Sequence, residues 1–560
     1  MGKRVARVLL GVVVAGGMLA ASPVRVEAQL STQPFAAYGN ATAVALNALA
    51  LGATQIANTQ VANSAGVVNS TGLGGVVNNQ FNQAVQPVQP AGKNAYGRGS
   101  GVELGIATPV VQETNVNQLK LTQVAEANAA PPSLLVDKVT NIDLPPLLTA
   151  STARGQAQAT YHPDFCPVGR PLTYGAGYVE NLQVLPGAGG GLVGTSSTGN
   201  SVTQTRTVTY MIPNGDGTYG VVAESQAIVA PVSVAGTGVT IDIAGPIGFR
   251  TTATGKPGDP RNGVTYTGTP VITVSLANVP LLSLSLQDLL GSGGVVLPVL
   301  PLLNLRLGAP PVGLNGLGAP SVAADGTSAS GSADTLRVQL LELPGISALD
   351  LSLGHFEGAV SVPAGGVTCR IPVSKVANPD PVAVGSDVVF TISIPSDAGL
   401  FNALFACDLI NIRAVDTVDV TSGQVTFNIV GADRNGVISG NTVTWENLGS
   451  YALGDPPIQL NMTVHISAAS GNAVMRDIVD VSAALGNCRG RAAGDDLVLG
   501  SGQITGNAIV GRFVLNGPTI AGGSLAATGG TSAPLVMGGF LVLGGLGLMR
   551  LRRTLIQRRI

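Results

Sequence analysis

The stretch from Thr203 to Val229 does most to narrow the choice of fold. Thr203 to Ile212 alternates polar and apolar residues, Pro213-Asn214-Gly215-Asp216-Gly217 supplies turn chemistry, and Tyr219 to Val229 runs back. A period of two sends successive side chains to opposite faces of a strand, so two such runs around a Gly-rich turn predict a β-hairpin. A calcium loop at the same turn is disfavoured, because the spaced ligands and closing Glu of an EF-hand are missing. Val239 to Ile243, Val271 to Leu276, Thr335 to Leu343 and Phe356 to Val362 predict further strands. Leu281 to Leu307 is Leu-rich but broken by Asp288, Pro298 and Pro301, which reads as strands or short helical turns over a core. Asn315 to Asp334 reads as a Gly/Ser/Ala loop. Near the start, Ala41 to Leu51 is nearly all apolar without a clear period and stays open between strand and helix.

Composition supports the same fold class. Charged residues are only 11% of the chain, against roughly 25% in ordinary soluble proteins. The shortfall is filled by Gly, Ala, Val, Thr, Ser and Asn, which suits short strands and tight turns. The expected fold is mainly β: a large N-terminal β module followed by a smaller β-sandwich, with a signal peptide and a C-terminal apolar segment. A formal charge of −2 gives no electrostatic footprint for nucleic acid. Cys166, Cys369, Cys407 and Cys488 make an even count, and in an exported chain two disulfides follow. Three connectivities exist. Cys166–Cys369 and Cys407–Cys488 are favoured, since each pair closes within one expected module.

Both ends carry processing signals. Lys3, Arg4 and Arg7 precede the apolar run Val8 to Ala21, and Val26-Glu27-Ala28 offers small residues before a cut at Gln29. That is the pattern of a secretory signal peptide. The tail holds Leu525-Ala526-Ala527-Thr528-Gly529, an apolar run from Ala533 to Met549, and then Arg550, Arg552, Arg553, Arg558 and Arg559. Seventeen residues of helix span about 25 Å, slightly short of a bilayer core of about 30 Å. Basic residues behind such a run act as a stop-transfer signal on the cytoplasmic side. The order of motif, apolar run and basic end resembles the cell-wall sorting signal of Gram-positive surface proteins, with Ala526 where the usual Leu-Pro-x-Thr-Gly motif has Pro. The resemblance implies that a sortase cleaves after Thr528 and joins it to peptidoglycan, the membrane being a partner only before processing. Small flanking residues, Gly522, Gly523, Ser524 and Gly530, suit an extended peptide entering an enzyme groove.

The middle of the chain carries a second resemblance. Cys166-Pro167-Val168-Gly169, Tyr174-Gly175-Ala176-Gly177-Tyr178, Thr205-Arg206-Thr207, Pro213 to Gly217 and Glu224-Ser225-Gln226 leading to Ala230-Pro231-Val232 are similar to the choice-of-anchor G family of actinobacterial surface proteins. That family implies an exported, anchored surface protein and brings no catalytic residue with it. From Val373, the pattern Ser374-Lys375-Val376, Asn378-Pro379, Val382, Gly385 and Val388 to Ile394 resembles the opening strands of repeat-type β-sandwich domains on bacterial surfaces. The expected organisation is a signal peptide at 1–28, a β ectodomain at 29–372, a β-sandwich domain at 373–490, a spacer at 491–524 and the sorting signal at 525–560. Within the spacer, Ala508 to Leu515 reads as a short strand.

Catalytic constellations are not found. His162, His355 and His465 stand without partners of their own kind, and neither a Gly-x-Ser-x-Gly elbow nor a His-Glu-x-x-His motif occurs. No cofactor, metal or catalytic residue is expected. Trp445 is expected in the core. Lys375 reads as an ordinary solvated lysine. The alternative is an intramolecular isopeptide bond to Asp477 or Asp480, assisted by Asp408 or Asp416. The expected function is therefore a secreted, wall-anchored surface protein with a structural or adhesive role and an unspecified surface ligand. The alternatives are a single-pass membrane-anchored ectodomain without processing, or a surface hydrolase whose site the sequence does not display.

Overall fold

The computed structural model describes most of residues 34–515. Outside the described residues lie 1–33, 52–53, 74–91, 106–123, 130–131, 145–147, 163–169, 185–192, 196–201, 235–237, 269, 286–294, 301–302, 308–319, 344–345, 471–472, 488–502 and 516–560. The described residues are nearly all β, in four sheets of almost wholly antiparallel strands, with one short helix, Ala398–Leu404. The signal peptide and the sorting signal fall outside them. Among the described residues no helix is long and apolar enough to cross a membrane.

Residues up to Thr368 build two large sheets. In the first, Ser328–Leu343, Ile346–Ser361, Ala36–Leu51, Thr54–Asn69, Ala95–Gly105 and Ala125–Ala129 lie side by side in that order. The strand Ala36–Leu51 sets Ala36 opposite Asn69 on one side and opposite Ser361 on the other. The apolar run left open by its lack of period is thus a strand, because a ladder on both edges satisfies its backbone where local preference did not decide. In the second sheet, Gly263–Thr267, Ile247–Ala253, Thr218–Ile228, Val202–Pro213, Thr173–Glu180 and Leu148–Ala159 form a continuous run. The hairpin expected from sequence lies at its centre, with Pro213 opposite Tyr219. Gly215 and Gly217 take positive φ in its turn. Asp216 accepts from the Thr218 backbone N–H at 3.1 Å and pairs with the Lys256 ammonium at 2.5 Å, which occupies its carboxylate.

The two sheets meet through small residues. A Cβ placed on Gly99 would fall 2.1 Å from the Ala176 carbonyl oxygen and 2.2 Å from that of Gln156. One on Gly175 would fall 2.1 Å from the Arg98 carbonyl, and one on Gly177 2.2 Å from the Ser100 carbonyl. Glycines at alternate positions of Ala95–Gly105 and Thr173–Glu180 therefore let the backbones approach more closely than the roughly 10 Å usual for stacked sheets. Beside them runs a line of buried hydroxyls. Ser64 and Thr207 are 2.8 Å apart, Thr207 and Ser225 3.0 Å, and Thr173 and Thr209 2.6 Å. Each satisfies a polar group that burial would otherwise penalise. Larger apolar groups fill one side, where Phe249 stacks on Phe356 at 5.9 Å among Val44, Leu46, Ile247, Leu351 and Leu353.

Two smaller sheets follow. Ser374–Asn378, Asp387–Ile394, Ile458–Ala469 and Val425–Ala432 make one. Val382–Ala383, Gln503–Leu515, Ala473–Gly486, Asp408–Ser422, Thr442–Trp445 and Val437–Ser439 make the other. Trp445 is buried between them, its indole N–H donating to the Asp433 carbonyl at 2.8 Å. Asp397 caps the helix by accepting from the Leu400 N–H at 2.9 Å, and Phe401 stacks on Phe405. The apolar core is continuous from the large sheets into this region through Cys369, Ile371 and Val373. Arg170 adds hydrogen bonds to the carbonyls of Phe405 at 3.3 Å and Asn402 at 3.4 Å.

Two expectations are corrected here. The loop expected at Asn315 to Asp334 already contains strand: Ser321–Val322 pairs with the start of Ser328–Leu343, and Ser328 lies opposite Ser361. Its small residues carry little strand signal, and the partner strand supplies the order. Within the expected spacer, Gln503–Leu515 pairs along most of Ala473–Gly486, from Ala473 opposite Val514 to Ala484 opposite Gln503. The strand is longer than the sequence suggested and is an integral member of the sheet.

Candidate functional site: a buried lysine between two aspartates

Alternation along three strands builds the site. On Ala473–Gly486 every second side chain is buried, and the series Ala473, Met475, Asp477, Val479, Val481 places an acid on an apolar face. On Asp408–Ser422 the series Ile412, Ala414, Asp416, Val418 does the same. These strands are adjacent, with Asp416 opposite Val479 and Val418 opposite Asp477, so the two carboxyls are diagonal neighbours on one face. From the opposing sheet, Ser374–Asn378 directs Lys375 toward them. The lysine is fully buried, 0% exposed, and the solvated lysine expected from sequence is corrected. Its strand faces the second sheet at this position, and the long aliphatic stem spans the gap.

The Lys375 ammonium binds Asp416 Oδ1 and lies 2.5 Å from Asp477 Oδ2. The approach to Asp477 lacks hydrogen-bond alignment, and among the described residues Asp416 Oδ2 and both Asp477 oxygens have no hydrogen-bond partner. Nζ also stands 5.1 Å from the centre of the Phe390 ring. One cation and two carboxylates in a dry interior would leave a net negative charge, which is costly. A proton relieves it. Burial pushes the Asp477 carboxyl well above the usual carboxylate range, the neighbouring Asp416 charge pushes the same way, and Lys375 opposes them. The site thus holds an ammonium, a carboxylate and a carboxylic acid against one another. Those are the groups needed for condensation to an amide.

Of the other acids considered, Asp480 is exposed on the opposite face of its strand. Asp408 accepts from the Leu453 N–H and the Asn487 amide, each at 3.0 Å, and is not brought to the lysine.

A second polar group is buried in the first sheet. His355 Nδ1 lies 2.8 Å from Asp334 Oδ1 and Nε2 lies 3.3 Å from Glu357 Oε1. Ser352 donates to Asp334, and the Tyr38 hydroxyl to Glu357, both at 2.5 Å. Nearby, buried Arg98 pairs with buried Glu103. Burial works against a charged imidazole, but the hydrogen bonds and charges of Asp334 and Glu357 outweigh it and push His355 up to about 9. The ring is therefore a held cation at neutral pH. The serine serves the aspartate rather than the histidine, so this is a structural ion network by its geometry. The sequence reading of His355 as a residue without partners considered only other histidines and missed the acids that pairing of strands brings to it. Among the described residues no group of three or more His, Cys, Asp or Glu side chains is placed to hold a metal.

Cys369 and Cys407 are disulfide-bonded and fully buried. Cys166 and Cys488 lie outside the described residues. So do the motif Leu525, Ala526, Ala527, Thr528 and Gly529 and the stop-transfer residues Arg550, Arg552 and Arg553. Compared with known proteins, the chain matches no family model and no curated protein.

Proposed function

We propose that the chain is a secreted cell-surface protein, joined by a sortase to the peptidoglycan through Thr528, with a structural or adhesive role. The observation that carries this reading is the order of features in the tail: Leu525 to Gly529, the apolar run Ala533 to Met549, and five arginines behind it. In that reaction the protein is the substrate, and an acyl-enzyme through a sortase cysteine is resolved by a cell-wall amine. The basic signal at Lys3 to Arg7 and the resemblance to choice-of-anchor G proteins point the same way. Bonded cysteines suit an oxidising compartment, and the favoured pairs remain Cys166–Cys369 and Cys407–Cys488. The last described strand ends at Leu515, ahead of the motif, so cleavage after Thr528 would leave every described strand on the displayed part.

Mass spectrometry of protein released from cell walls by a muramidase tests the proposal. A C-terminal peptide ending at Thr528 and carrying wall fragments is the expected result. An intact peptide through Ile560 would replace it with the unprocessed, membrane-anchored alternative.

A further inference from the structure

We propose that Lys375 and Asp477 join in an intramolecular amide bond formed by the folded chain itself, with Asp416 as the proton carrier. The proposal rests on the described interior of residues 374–486 and is independent of how the chain is anchored. Three observations carry it. Lys375 is fully buried and comes from one sheet, while both acids come from the other. Nζ lies 2.5 Å from an Asp477 oxygen without being aligned to hydrogen-bond it. Three carboxyl oxygens at the site are left without hydrogen-bond partners among the described residues, a cost that an ion pair kept only for stability would be expected to avoid.

The chemistry balances. Lys375 passes one proton from its ammonium to the Asp416 carboxylate and becomes a neutral amine. The amine lone pair attacks Cγ of the protonated Asp477 carboxyl to give a tetrahedral centre. Asp416 relays a proton from nitrogen to the departing hydroxyl, the C–O bond breaks, and one water leaves. An amide links Nζ to Cγ, Asp416 remains as the neutral acid, and it can donate to the new carbonyl. Net charge is zero before and after, and no oxidant, metal or second enzyme enters. Held side by side, the groups react at an effective concentration that solution cannot match, which favours condensation over hydrolysis. The product ties the strand Ser374–Asn378 to the strand Ala473–Gly486 across the two sheets.

The test is mass spectrometry of the purified full-length protein after reduction and alkylation. The expected intact mass is one water below that of the unlinked polypeptide. Trypsin should yield a branched peptide joining residues 371–413, uncut at Lys375, to residues 477–489. Reduction matters because Cys407 and Cys488 fall on these same two peptides. Lys375→Arg and Asp416→Asn should both restore the unlinked mass. Linear peptides 371–375 and 376–413 from the unmodified sequence would overturn the proposal, and this result needs no variant to fold. A branch onto residues 414–434 would overturn the choice of Asp477, and an undiminished branch in Asp416→Asn would overturn the role of Asp416.

Discussion

His355 shows how far a single side chain can be moved by its setting. Its ordinary value near 6.5 rises to about 9 despite burial, because Asp334 and Glu357 hold the charged ring. A group whose folded value is raised contributes stability that is complete below about 6.5 and vanishes as pH climbs through about 9. The gap corresponds to about 3 kcal/mol. Urea unfolding between pH 6 and pH 10 should therefore show a midpoint that falls with rising pH in that window. His355→Gln should flatten the slope and lower the midpoint at pH 6, since it leaves two buried acids without their cation, a loss of about 3–5 kcal/mol. A slope unchanged in the variant would assign the pH dependence to other groups.

The pairing of sheets through glycine makes the strand Ala95–Gly105 the most exacting element. Gly99→Val would drive a side chain into the carbonyls of Ala176 and Gln156, so the sheets must separate. The expected loss is about 3 kcal/mol or more, read as a lower thermal midpoint, whereas Gly215→Ala in the open turn should cost about 1 kcal/mol. Sequence made much of this level legible. The hairpin around Gly215 and the strands at Val239 to Ile243 and Val271 to Leu276 follow from period and turn chemistry, and the burial of Trp445 follows from its size. What it hid was pairing at a distance. Tyr174-Gly175-Ala176-Gly177-Tyr178 carries an alternation of glycines that local reading treats as weak strand, and only the opposing Gly97, Gly99 and Gly101 explain it. The site was half visible for the same reason. Lys375, Asp416 and Asp477 each break an apolar alternation, a signal present in the sequence, but which of four acids meets the lysine depends on strand register.

For the molecule as a whole, the shared core argues that the two expected modules do not behave as beads on a string. Cys369, Ile371 and Val373 pack in the same apolar body as Phe401 and Phe405 on one side and Tyr219 and Val221 on the other. Removal of residues 34–69 should unfold the first sheet and, through that body, weaken the rest. The measurement is a calorimetric scan of the truncated chain, in which a second region melting at the full-length temperature would show independence. The strand Ala36–Leu51 also has a consequence for biogenesis. It waits for Ile346–Ser361, so the first sheet cannot close until most of the polypeptide has left the ribosome. A nascent chain with its final neighbour still unmade stays threadable, the state that the proposed export through a narrow channel would require.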